Sequence, residues 1–257
     1  MTATKTIETS ARWVAVLTWQ PRPESMDVFA SHLTVFLKAW SGTFGGWFVE
    51  GSYRGRSVLW DAVGRPEALR RALRERDIVL GPHEVKVTAY TAEITSADGL
   101  AFVQATGGIQ QRVGDVWFAN SVTLEFDMRG DAARLRNASE ARRLLRDGVE
   151  AFRPDWAALM PKNEIAMRPT DFVEGRPIVG WVTYLSAAFS LSKHLVSFGG
   201  RLDYLPDGGA VITAVTDEFD EQSVGQRQAY DRARTELSAS GALVPFREYA
   251  LRTRPSR

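Results

Sequence analysis

Four carboxylates fall within five residues at Asp217, Glu218, Asp220 and Glu221, in a chain whose charges are otherwise balanced. Groups this close repel one another unless water or opposing cations separate them. They follow the apolar stretch Ala210 to Thr216 and precede a polar one, which places them at a strand end before a helix. Two roles fit that position. Carboxylates are favourable at a helix N-terminus and well solvated in a loop. A negative patch also steers a basic partner and sets specificity, so these four residues are the candidate partner-binding surface. A calcium loop needs a regular alternation of ligands that this run lacks.

A second pattern is Glu84-Val85-Lys86, which is similar to the Glu-x-Lys of metal-dependent nucleases of the restriction-endonuclease fold. A metal-dependent hydrolase using Glu84 and Lys86 is therefore one alternative function, and a non-enzymatic scaffold protein is the other. The hydrolase chemistry needs a further carboxylate to hold a divalent cation near the scissile phosphate. Asp77 is seven residues upstream, without a Pro-Asp strand around it. His32, His83 and His194 lie in unrelated contexts, which favours surface or packing roles. There is no His-Glu-x-x-His helix, phosphate-binding glycine loop or Gly-x-Ser-x-Gly elbow. The sequence thus nominates no catalytic residue, no metal ligand and no cofactor.

The bulk composition narrows the class. With 257 residues, the chain is long enough to bury a substantial core without staples. Its 32 basic and 31 acidic residues leave a net charge of +1, which gives neither a nucleic-acid footprint nor a polybasic membrane patch. Cysteine is absent, so there are no disulfides and no thiolate chemistry. The N-terminus lacks the apolar core of a signal peptide, and the expected compartment is the cytoplasm. The arginines at 70, 71, 74 and 76, and those at 142, 143 and 146, read as two solvated helix faces. Oligomeric state is left open.

The elements that must position these residues read as α+β: mostly antiparallel sheet with flanking helices. Trp13 to Trp19 is a first strand, stopped by Pro21 and Pro23. Ser25 caps a helix whose apolar residues run to Trp40, with Gly42 as its stop. Pro66 to Arg74 reads as helix, Val85 to Ile94 as a strand with one wet face, and Asp131 to Phe152 as a helix broken near Asn137. Pro206-Asp207-Gly208-Gly209 joins a hairpin, and Gln222 to Leu237 is a polar helix.

Residues 1–153 form an expected N-terminal half, 154–177 a proline-punctuated connection and 178–257 a C-terminal half. A single domain is the alternative. Two similar α+β halves are hinted at by an echo. Glycine pairs at 107–108 and 199–200 precede the triplets Glu125-Phe126-Asp127 and Glu218-Phe219-Asp220, and Gly46-Trp47 is matched by Gly180-Trp181.

The most distinctive run is Val179-Gly180-Trp181-Val182-Thr183-Tyr184-Leu185-Ser186, β-branched and aromatic enough to read as a buried central strand of the C-terminal half. Together with the Gly-rich turn, Val211 to Thr216, Phe219-Asp220 and Gly241-Ala242-Leu243, it resembles the immunity protein 52 family of bacterial polymorphic toxin systems. Gly46-Trp47 with Tyr53-Arg54-Gly55 fits the same pattern more loosely. The resemblance implies a non-enzymatic α+β protein, in settings such as type VI secretion, that binds and neutralises a cognate toxin. In that family the toxin is often a nuclease of the restriction-endonuclease fold. Gly46, Trp47, Gly180, Trp181, Tyr184 and Leu185 are then fold-forming rather than contact residues.

Overall fold

The computed structural model describes residues 12–53, 56–80, 85–110, 120–162, 177–189, 200–220, 223–239 and Leu243. The expectations for Glu84, His83, His194, Glu221 and the turns at 114–115 and 197–199 lie outside them. The fold is α+β, with an eleven-stranded sheet whose paired strands all run antiparallel.

Strand β1 (Arg12–Trp19) lies mid-sheet, between β7 (Asn120–Asp127) and β8 (Trp156–Pro161). Beyond β7 follow β6 (Ala101–Gly107), β5 (Val85–Ser96), β2 (Trp47–Tyr53) and β3 (Arg56–Asp61), with β4 (Arg74–Leu80) also paired to β5. Beyond β8 follow β9 (Val182–Leu185), β11 (Ala210–Thr213) and β10 (Arg201–Tyr204).

Helix α1 (Met26–Phe44) starts where Ser25, in extended backbone, accepts a hydrogen bond from the Val28 amide at 3.3 Å. Its buried Phe29, Leu33, Phe36, Leu37, Trp40 and Phe44 recur at helical spacing and face the sheet. Gly45, in the left-handed region at φ 68°, ends it. The expected stop at Gly42 is therefore corrected, because that glycine sits exposed inside the last turns with nothing near its missing Cβ. Gly42→Ala is expected to stabilise the protein by about 0.5–1 kcal/mol, since alanine restricts the unfolded chain and fits the helix. Denaturant unfolding checks this, and a loss of stability would show that space at residue 42 is required.

Helix α2 (Pro66–Ala72) is shorter than its sequence indicates: Arg74 and Arg76 belong to β4, not to a basic helix face. A 3-10 turn over Gly130–Arg136 precedes α3 (Ala138–Phe152), so the expected break is present, with Asn137 as the cap accepting from the Ser139 amide. Trp19 stacks on Phe152 at 5.5 Å, and Phe29 and Phe36 close around the same ring, joining β1, α1 and α3 in one core. Helix α4 (Val224–Ala239) completes the described elements.

Two further readings are corrected. Trp156–Pro161, expected within a connection, is a fully buried strand paired on both sides. The strand of the distinctive run is buried but shorter than its sequence indicates, spanning only Val182–Leu185 between β8 and β11. The echo also separates in space. Glu125-Phe126-Asp127 lies within β7, whereas Glu218-Phe219-Asp220 follows β11 as a loop.

Candidate functional site

Gly180 and Trp181 lead into β9, and both are buried. The Gly180 amide donates to Thr183 Oγ1 at 2.8 Å, and the same hydroxyl donates back to the Gly180 carbonyl at 3.3 Å. This small loop presses Gly180 against β8, where an added Cβ would meet the Leu159 carbonyl oxygen at 2.5 Å. Gly46 acts differently. It leaves α1 at φ 98° and hands the chain to Trp47, which packs against Phe44 at 5.1 Å.

Trp181 anchors the acidic loop. Its indole N–H donates to the Val215 carbonyl at 2.9 Å, and its carbonyl accepts from the Ala214 amide at 2.9 Å. Phe219 stacks on the indole at 5.0 Å and meets Trp13 edge-on at 5.3 Å. Tyr230 of α4 closes the cluster, 6.2 Å from Phe219, and donates its hydroxyl to the Val179 carbonyl at 2.8 Å. Phe219 is thus a buried plug between exposed carboxylates at Asp217, Glu218 and Asp220.

The plug is fixed by backbone as well. The Phe219 amide donates to the Arg136 carbonyl at 2.8 Å, joining the loop to the turn before α3. Gln226 in the first turn of α4 braces both sides: its side chain donates to the Glu218 carbonyl at 2.9 Å and accepts from the Asp220 amide at 2.7 Å. The sequence reading missed Gln226, since a glutamine at a helix start carries no signal of which loop it holds. The structure brings Asp217, Glu218 and Asp220 together on one pinned loop. The fourth expected residue, Glu221, lies outside the described residues.

Tyr184 and Leu185 are buried in β9. The Tyr184 hydroxyl donates to Asp207 Oδ2 at 2.9 Å, while Asp207 Oδ1 accepts from the Gly209 amide and so shapes the β10–β11 turn. Burial, then the bond to Asp207 and its charge, hold the phenol well above its usual range. It is a fixed donor that ties β9 to the β10–β11 turn.

For the alternative chemistry, Lys86 is exposed on β5. Asp77 lies across on β4, where it pairs with Thr88 and accepts its hydroxyl at 3.1 Å; alternation puts Asp77 and Lys86 on one face. Among the described residues no group of three or more His, Asp or Glu side chains could hold a metal ion. His32 packs edge-on against Phe152 at 6.2 Å with Nδ1 3.2 Å from the buried Glu24, a packing position as expected. Among the described residues no helix is long and apolar enough to cross a membrane.

No family model matches the chain, and no curated protein does either. A solved structure does: the Pseudomonas aeruginosa T6SS protein PA0821. The likeness has a TM-score of 0.50 at 12% sequence identity, covering 88% of this chain and 73% of that one. At that identity the two share a fold.

Proposed function

We propose that this chain is an immunity protein of the type VI secretion setting that neutralises a cognate toxin by direct binding in the cytoplasm. The observation that carries the reading is the acidic loop. Asp217, Glu218 and Asp220 are exposed around a buried Phe219, with Gln226 bonded to the backbone on either side. A loop fixed before encounter loses little conformational freedom on binding, which favours affinity. Its charge suits a basic groove such as that of a nuclease, and the mechanism is occlusion of that groove against substrate. The sequence resemblance to immunity protein 52 supports the same class, and the fold shared with a T6SS protein is compatible with it.

The test is charge reversal of Asp217, Glu218, Asp220 and Glu221 together to lysine, with toxin affinity measured by calorimetry at low and high salt. Exposed charge pairs contribute up to about 1 kcal/mol each, so a weakening of about 10- to 1000-fold is expected, with a shallower salt dependence. Unchanged affinity and unchanged salt dependence would remove the loop from the interface.

A further inference from the structure

The arginines of α3 do not form one solvated face. Arg143 turns to Glu140 at 3.5 Å and lies over the Trp40 ring at 4.7 Å. Arg142 and Arg146, one turn apart, point instead to Asp203 on β10, which also receives Arg201. Asp203 Oδ1 is 2.8 Å from Arg201 Nε, and its Oδ2 is 3.5 Å from Arg146 Nη2 and 3.9 Å from Arg142 Nε. Three guanidinium groups around one carboxylate leave a surplus of two positive charges in a partly enclosed place. The Arg142 side chain is only 12% exposed and Asp203 17%, whereas Arg146 and Arg201 are 42% and 52% open to solvent.

We propose that Arg142, Arg146 and Arg201 form a binding site for a dianionic phosphate group, with Asp203 as the post that holds the three arginines in place. A phosphate monoester carries a charge of about −1.5 to −2 at neutral pH, which matches the surplus. Each guanidinium presents a planar fork of donors suited to a tetrahedral oxyanion, and most of these donors are not used by Asp203. Arg146 Nε is buried without a hydrogen-bond partner among the described residues, so the cluster is incompletely satisfied as it stands. Burial, and then repulsion from Arg201 and Arg146, press on the charged form of Arg142, partly offset by Asp203. A bound dianion relieves that repulsion. This site lies apart from the acidic loop in sequence and charge, and its existence does not depend on toxin binding.

The experiment titrates the full chain with sodium phosphate, sulfate, acetate and chloride at matched ionic strength, followed by calorimetry and thermal melting. Phosphate and sulfate are expected to bind saturably and raise the melting temperature, while acetate and chloride give no saturable response. Arg146→Gln and Arg201→Gln, both at half-open positions, should each weaken phosphate binding about tenfold while melting like the native chain in chloride. Arg143→Gln should bind phosphate as the native chain does. O-phosphoserine binding as tightly as inorganic phosphate assigns the site to a phosphate ester, and preference for the free ion assigns it to inorganic phosphate; both uphold the site. An equal response to acetate or chloride, or native affinity in both Arg146→Gln and Arg201→Gln, overturns it.

Discussion

Trp181→Ala is expected to lower stability by about 3–5 kcal/mol, the range for truncating a fully buried tryptophan. The indole is completely buried and sits where three parts of the chain meet: Trp13 of β1, Phe219 of the acidic loop and the Val215 carbonyl. Truncation therefore leaves a cavity and orphans a buried carbonyl at the same time. Because Phe219 stacks on this ring, the acidic loop should also lose its fixed position. Denaturant unfolding measures the first effect, and amide exchange at Phe219 and Asp220 measures the second. A mutant of native stability that had lost only partner binding would show instead that Trp181 is a contact residue.

Gly180→Ala is expected to cost about 1–3 kcal/mol, as overpacking of a tight interior does. The new methyl would stand 2.5 Å from the Leu159 carbonyl oxygen and 3.1 Å from Ala158 Cβ, and the nearest obstacle is backbone. Leu159 is held in the ladder by pairing with Val182, so relief requires β8 and β9 to part. The same substitution at Gly42, where an added Cβ would meet nothing within 4 Å beyond its own helix backbone, is the internal control and should act in the opposite direction. Unfolding of both variants under one set of conditions decides the matter. If Gly180→Ala were as stable as the native chain, the close approach of the Gly-Trp lead-in to β8 would not be a constraint on the fold.

Much of this architecture was legible because it rests on local chemistry. Ser25 as a cap, the apolar stripe of α1, the break at Asn137 and the turn at Pro206 to Gly209 each follow from a few neighbouring residues. Strand β4 was not legible: Arg74-Glu75-Arg76-Asp77 continues the helix-forming composition of α2, and only pairing with β5 makes it extended. Strand β8 was hidden by its own prolines. Pro154 and Pro161 read as linker punctuation, yet Pro161 sits opposite Trp13 at the end of the ladder, where a missing N–H is tolerated. Gly42 read as the end of α1, but the residue that takes the left-handed conformation is Gly45, and where that residue falls depends on packing in three dimensions. The site divides the same way. The carboxylate run was visible as a run, but Gln226 and the plug made by Phe219 came only with packing. Arg142 and Arg146 share a helix face by their spacing, whereas their common partner Asp203 lies 57 residues beyond Arg146 and could be found only from the fold.

Neutralisation of a toxin by direct binding meets its most direct test in co-expression with the protein encoded beside this chain, scored as cell survival and as recovery of a purified complex. Cells carrying both are expected to survive, cells carrying the neighbour alone to die, and the two proteins to co-purify in a fixed ratio. Equal killing with and without this chain, or survival with no complex formed, would contradict neutralisation by binding.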